Sequence, residues 1–268
     1  MISVTAWCLL GTPRQHWPRL LKLIHNCGFE GIEMHVDNGQ WPIPPEINRN
    51  ELEWLFEALS EAELSVTGFS TMIHSNDSII SDDKASRNRA IHAVDKMIDL
   101  AAMLGGKHVT IIPGGIHEDW KKAIAVIQEL NAKAKSKGIL FLIENVWYSF
   151  SYDLNKLADL INAVGPNVGI CFDIGNALPY GNTAEWLLRF KDKLEKIHIS
   201  DAAATTPHQI YPVGQGSADW SKIADVLKSI HYTKDLTLEL FPSWERSLVL
   251  ELSRTGRFLK RIFNDLEG

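Results

Sequence analysis

The feature that most constrains this chain is an alternation. Short runs rich in β-branched residues recur along its length, and longer stretches with helical spacing separate them. The strand candidates are Ile2–Cys8, Gly31–Val36, Ser65–Thr71, His108–Ile112, Ile139–Glu144, Val168–Asp173, Lys196–Ser200 and Leu236–Leu240. Between them apolar residues step by three or four. Leu20, Leu21, Leu23 and Ile24 do so in the first interval, and Leu52, Leu55, Phe56 and Leu59 in the second. Ile91, Val94, Met97, Ile98, Ala101 and Ala102 do so in the third. That spacing marks a helix with one buried face. Gly28, Gly106, Gly138 and Gly165 stand between a helix pattern and the next strand, and Gly11 follows the first strand. Glycine just past a helix is a common stop.

Strands alternating with helices imply a parallel sheet. Eight units in 268 residues leave roughly 33 residues for each, close to one βα repeat. That count fits a closed, parallel, eight-stranded (β/α)8 TIM barrel. An open doubly wound sheet is the competing architecture. It would carry a glycine-rich phosphate turn after the first strand, but Cys8-Leu9-Leu10-Gly11-Thr12-Pro13 is not G-x-G-x-x-G. No linker, low-complexity tract or charge block divides the chain, so residues 1–268 read as a single domain.

Composition removes several classes. Twenty-seven basic residues against 33 acidic ones give a net charge of −6, a poor surface for coating nucleic acid. No apolar run approaches the roughly 18 residues of a membrane span. Met1-Ile2-Ser3-Val4 offers no basic leader and no cleavage site, so a cytoplasmic location is expected. Cys8, Cys27 and Cys171 are odd in number and lack a C-x-x-C, which suits buried free thiols in a reducing compartment.

In a barrel of this kind the chemistry sits at the C-terminal ends of the strands. The last four predicted strands each place one ionisable residue inside an apolar run: Glu144, Asp173, His198 and Glu239. Any one of them alone is as readily a satisfied structural group. Four on adjacent strands converge, and three carboxylates cannot share one place without a cation. The economical solution is one divalent metal ion held by all four. Three carboxylates and an imidazole suit Mn²⁺, Mg²⁺ or Co²⁺, with Zn²⁺ admissible. No thiolate is expected to help.

Several segments carry a resemblance. They are Gly28-Phe29-Glu30-Gly31-Ile32-Glu33, Leu142-Ile143-Glu144-Asn145, Cys171-Phe172-Asp173-Ile174-Gly175-Asn176, Ile197-His198-Ile199-Ser200-Asp201, Val213-Gly214-Gln215-Gly216-Ser217-Ala218-Asp219-Trp220 and Leu238-Glu239. In this order they resemble the sugar phosphate isomerase/epimerase group of xylose-isomerase-like TIM barrels. The Asp-Ile-Gly-Asn and Val-Gly-Gln-Gly pieces look most like the ketose 3-epimerases. The resemblance implies that Glu144, Asp173, His198 and Glu239 bind the metal, and that Glu144 and Glu239 also exchange protons with the sugar. The chemistry agrees. Epimerisation beside a ketone removes a proton from one face and returns one to the other through a cis-enediolate, so it needs a base and an acid that exchange roles. The expected substrate is a ketose or ketose phosphate. A keto-polyol dehydratase on the same metal site is the alternative.

One departure bears on a second branch. The endonuclease IV branch has imidazoles where this chain has Ile112 and Asn176, and it uses three zinc ions. Without those ligands and with an acidic surface, an abasic-site nuclease is not expected, nor is any nucleic-acid partner. A non-catalytic sugar-binding barrel would tolerate loss of a glutamate, and this chain keeps all four ligands. A homo-oligomer is left open.

The remaining candidates face the sugar. His74 suits a substrate hydroxyl or a loop cap equally. Asn176 can hydrogen-bond a hydroxyl but cannot ligate as imidazole does. Trp7, Trp147 and Phe69 form an apolar wall or simply pack. His208, in the loop 202–217, reads as exposed unless it reaches substrate. Glu33 shares a strand face with His35 and is either a partner behind the ligands or a structural hydrogen-bonder. Asp201 reads as a loop cap. Arg246 is the nearest cation after the eighth strand, and the amides near Gly214 and Gly216 are the other candidate phosphate cradle. The scarcity of cations in these loops leans toward a free sugar.

Overall fold

The computed structural model describes residues 1–36, 43–71, 77–243 and 246–263, with the backbone alone for 206–209. Eight parallel strands close into a barrel: β1 (Ile2–Thr5), β2 (Gly31–Val36), β3 (Ser65–Thr71), β4 (His108–Ile111), β5 (Leu140–Glu144), β6 (Val168–Asp173), β7 (Leu194–Ile199) and β10 (Asp235–Leu238). Neighbours around the barrel follow chain order, and β10 closes onto β1 with Ile2 opposite Leu236. The open-sheet alternative is thereby set aside. The two strands out of sequence, β8 (Asp201–Ala203) and β9 (Thr206–Tyr211), form an antiparallel hairpin over the mouth after β7. From the sequence, 202–217 is expected to be a plain loop. Pro207 interrupts the strand signal there, as proline does on an edge strand.

Helices α1 (Trp17–Asn26), α2 (Arg49–Glu61), α3 (Lys84–Met103), α4 (Ala123–Ser136), α5 (Leu154–Val164), α7 (Thr183–Phe190), α8 (Trp220–Ser229) and α9 (Leu248–Phe263) surround the strands, and the short α6 (Ile174–Ala177) opens the turn after β6. Their inner faces follow the apolar spacing, with Leu21 and Ile24 buried on α1 and Val94, Met97, Ile98 and Ala101 on α3. Phe56, 57% exposed, and Ala102, also exposed, are exceptions, and Ala58 takes the place of Phe56 on the buried face of α2. Aspartate and asparagine caps start most helices: Asn48 accepts from Glu51 N–H, Asp83 from Ala85 and Ser86, and Asp153 from Asn155 and Lys156. None of the described helices is long and apolar enough to cross a membrane.

Other details also differ from what the sequence suggests. The left-handed stop after α3 is Gly105 (φ 75°), not Gly106. After α2 and α8 that conformation falls on Glu63 (φ 56°) and His231 (φ 51°), so no glycine marks those ends. The first strand stops at Thr5, and Ala6–Leu9 form a buried 3-10 turn that carries Trp7 into the mouth. Cys8 and Cys171 are buried free thiols as expected, while Cys27 is only half-buried and sits 3.2 Å from Ser253 Oγ.

Candidate active site and metal centre

The strands deliver four ionisable side chains to one point. Glu144 ends β5, Asp173 ends β6, and His198 is the penultimate residue of β7. Glu239 lies one residue past β10, its N–H donating to Ile199 O at 3.0 Å. In the register of β6 and β7, Asp173 stands beside His198. One ligand-capable atom from each of the four lies within 4.8 Å of all the others. The strands are consecutive around the barrel, β5-β6-β7-β10, so the two glutamates stand at the outer ends of the arc.

Local hydrogen bonds fix this spacing. Asn145 Nδ2 donates to Asp173 O (2.9 Å) and its Oδ1 accepts from Asp173 N–H (2.8 Å), tying the end of β5 to the end of β6. Asp173 Oδ1 accepts from Asn176 N–H (2.6 Å) and Ser200 Oγ (2.7 Å). Ser200 also accepts from Gly175 N–H, and a Cβ at residue 175 would meet Ser200 Oγ at 2.5 Å, so the glycine serves close approach. Asp173 Oδ2, by contrast, is buried and accepts no hydrogen bond among the described residues. A desolvated carboxylate oxygen is costly unless a cation faces it.

His198 is held from both sides. Nε2 lies 2.8 Å from Glu33 Oε2 and Nδ1 lies 3.1 Å from Glu144 Oε1. Carboxylates accept, so each ring nitrogen donates. Burial disfavours the imidazolium, but the Glu144 and Glu33 carboxylates on either side outweigh it and raise the His198 pKa well above its ordinary value. Glu33 fixes the ring so that Nδ1 points at the cluster, the arrangement of a ligating histidine with a carboxylate behind it. Glu33 is itself buried in an ion pair with Lys196, also fully buried. Burial pushes the Glu33 carboxyl up, but Lys196 and His198 hold it well below the usual range.

Glu144 and Glu239 behave differently from Glu33. Burial, against His198 and with Asp173 and Glu33 alongside, raises Glu144. Removal from water and the adjacent Asp173 push Glu239 well above the ordinary value. Three carboxylates that resist sharing charge, one orphaned oxygen and one oriented imidazole fit a hard divalent ion. A thiol also stands nearby, contrary to expectation: Cys171 lies within reach of Glu144 and His198. Burial pushes it up to about 11, so it remains a neutral thiol beside the four-residue cluster.

The cluster opens into a cavity of about 100 Å³ whose walls include Trp7, Trp147, Asn176, Ile112 and His35. Trp7 stacks on Phe241 at 5.2 Å, and Trp147 meets Tyr148 edge-on at 4.6 Å. Phe69 is packed in the core and takes no part in this wall. Arg246 lines a neighbouring hollow that shares Glu239 and Phe241 with the cavity and also contains Glu251. His74 and the side chain of His208 fall outside the described residues. The phosphate cradle suggested near Gly214 and Gly216 is already occupied. Asp201 Oδ2 accepts from Gly214 N–H (2.9 Å), Gly216 N–H (3.1 Å) and Trp220 Nε1–H (3.0 Å), while Oδ1 accepts from Ala202 and Ala218. The Val-Gly-Gln-Gly segment is thus a loop folded around one buried carboxylate.

The sequence alone does not single out Lys196, the buried counter-ion of Glu33. The one signal for it is its place two residues before His198, on the same inward strand face.

A closed barrel with this cluster at its mouth defines a class, and residues 21–261 match the xylose isomerase-like TIM barrel family. The chain belongs to that family. Two curated relatives carry the name "Putative L-ribulose-5-phosphate 3-epimerase". The one from Escherichia coli is 23% identical over 267 residues and the one from Haemophilus influenzae 22% over 260, each alignment spanning 91% of this chain and 90% of the relative. Among solved structures, an L-ribulose 3-epimerase superposes with a TM-score of 0.82 at 18% identity, covering 99% of this chain and 95% of that one. A D-allulose 3-epimerase from Methylomonas sp., in complex with D-allulose, gives 0.81 at 18% identity, covering 97% and 96%. Two further barrels at TM-score 0.78 hold metal. One, with bound zinc, is 17% identical and covered 98% both ways; the other, from Mycobacterium smegmatis with magnesium, is 16% identical and covered 100% and 97%.

Proposed function

We propose that this protein is a divalent-metal-dependent ketose 3-epimerase. The observation that carries the reading is the convergence of Glu144, Asp173, His198 and Glu239 within 4.8 Å, with the two glutamates on the outer strands of the arc. Glu144, Asp173, His198 and Glu239 would hold the ion. When bound, it supplies Lewis acidity against the negative charge that develops on the substrate oxygens. Glu144 and Glu239 supply the proton transfers: one removes the proton beside the ketone, the other returns a proton to the opposite face, and the roles exchange with direction. Environments that raise both carboxyls bring them closer to the acid–base range. Trp7 and Trp147 flank the cavity with apolar surface suited to a sugar's carbon face, and Asn176 offers an amide to a hydroxyl.

The names of the relatives support a ketose with or without phosphate. Consumption of the Gly214 and Gly216 amides by Asp201, and a carboxylate, Glu251, in the same hollow as Arg246, favour the free sugar. The test is turnover of a panel of pentuloses, hexuloses and their phosphates by the protein loaded in turn with Mn²⁺, Mg²⁺, Co²⁺ and Zn²⁺. Mass-neutral conversion inverted at C3 is expected. Loss of water would instead identify a dehydratase, and preference for ribulose 5-phosphate over ribulose would overturn the free-sugar assignment alone.

A further inference from the structure

The metal cluster occupies one side of the barrel mouth, and the opposite wall carries polar atoms that nothing in the fold explains. His35, on β2, and Ser70, on β3, are adjacent in the register of those strands, and both line the cavity. Each is nearly inaccessible, at 3% and 4% exposure. Yet His35 Nδ1 and Ser70 Oγ have no hydrogen-bond partner among the described residues. Thr71, the next residue on β3, shows the contrast, since its hydroxyl donates to Val36 O at 2.8 Å. Two buried polar atoms left unpaired side by side are costly to the fold. Such pairs persist where a ligand completes them.

We infer that His35 and Ser70 form a neutral subsite that binds a hydroxyl of the sugar beyond its reacting carbons, and so determine which ketose is accepted. The inference rests on the ketose reading above. A ketose that places its carbonyl and C3 at Glu144 and Glu239 must extend its remaining hydroxyls across the cavity, toward this wall. Burial pushes His35 down to about 3, so the imidazole there is uncharged and offers one donor and one acceptor. Ser70 supplies a hydroxyl that does either. This chemistry matches an alcohol and offers no cation to a phosphate. Trp7, whose ring lies 4.3 Å from that of His35, closes the flank with apolar surface.

The test compares kcat/KM for the best ketohexose with that for its 5-deoxy and 6-deoxy analogues, in wild type and in His35→Phe, His35→Asn and Ser70→Ala. Wild type should disfavour at least one deoxy analogue by about tenfold or more, the scale of one unmade hydrogen bond in a buried site. The ratio should collapse toward one in His35→Phe and fall in Ser70→Ala. It should be largely restored in His35→Asn, which puts an amide near the Nδ1 position. Ser70→Ala removes a single oxygen and remains informative if His35→Phe fails to fold. Turnover with a wild-type ratio near one, or a ratio unmoved by both His35→Phe and Ser70→Ala, overturns the subsite alone. Failure of wild type to turn over any ketose with any of the four metals overturns the functional reading and this subsite with it.

Discussion

Replacing Glu33 with glutamine tests the support beneath the proposed metal-binding cluster. The amide keeps the shape and can still accept from His198 Nε2–H, so the geometry at 2.8 Å can persist. The charge is lost, and Lys196, with no exposed surface, is left without its counter-ion. Breaking one partner of a fully buried pair costs about 3–5 kcal/mol. For a chain of this length that corresponds to a fall in Tm of roughly 6–10 °C. A second effect follows from the imidazole, which becomes a poorer donor of its Nδ1 lone pair without a carboxylate behind it. Partners of this kind are typically worth about 10–100-fold in metal affinity. The assay is thermal unfolding of the metal-free protein, paired with Mn²⁺ affinity by chelator competition. Glu33→Gln combined with Lys196→Met removes both charges and should recover much of the stability but not the metal affinity. If Glu33→Gln leaves both Tm and affinity unchanged, Glu33 is a bystander and the account of His198 is wrong.

Three further outcomes are expected. Asp173→Ala removes the orphaned oxygen and should abolish metal binding while circular dichroism stays that of a folded barrel; full metal occupancy in this variant would exclude Asp173 as a ligand. Glu144, Glu239 and His198 all have folded pKa values raised above the unfolded ones, so between those values the unfolded chain binds fewer protons and stability falls as pH rises. Glu33, held low, acts with the opposite sign but only in more acid solution, where its stabilisation is lost as pH falls. Buried His35 and His108, both held below the ordinary imidazole value, make stability rise with pH up to about 6.5 and oppose the decline there. Metal-free melts should therefore decline from about pH 6.5 to about pH 8, where His198 carries the effect, and Mn²⁺ should flatten the curve by displacing those protons; a metal-free curve that rises over that window contradicts this. Duplex DNA with an abasic site should remain uncut, because Ile112 and Asn176, which line the cavity, are not the imidazoles of the nuclease branch; efficient metal-dependent nicking would overturn that expectation.

The barrel was legible because its signal is periodic and repeated. Each strand candidate fell on a strand; most boundaries moved by one or two residues, as at β7 (Leu194–Ile199) and β10 (Asp235–Leu238), and the largest shift is the buried turn Ala6–Leu9 after β1. The convergence of Glu144, Asp173, His198 and Glu239 could be anticipated because each interrupts an apolar run at the same strand end. What stayed hidden depends on pairing across the barrel. Nothing local announces that Lys196 neutralises Glu33, or that Asp201 gathers five N–H donors and closes the glycine loop to phosphate. The same holds for His35 and Ser70, which become notable only when their lack of partners is seen. The helix ends at Glu63 and His231 were invisible for a simpler reason: their backbone takes a conformation usually reserved for glycine.

The central claim is that Glu144 and Glu239 move the proton at the carbon beside the ketone. It is tested most directly by turnover in D₂O with the metal-loaded protein, with metal content measured for every variant. Product should carry deuterium at C3 with no other change in mass. Glu144→Gln and Glu239→Gln should each lower kcat by about 10²–10⁴ while retaining enough metal to be compared. Product free of deuterium, or a metal-loaded glutamine variant with unchanged kcat, would show that the proton passes elsewhere.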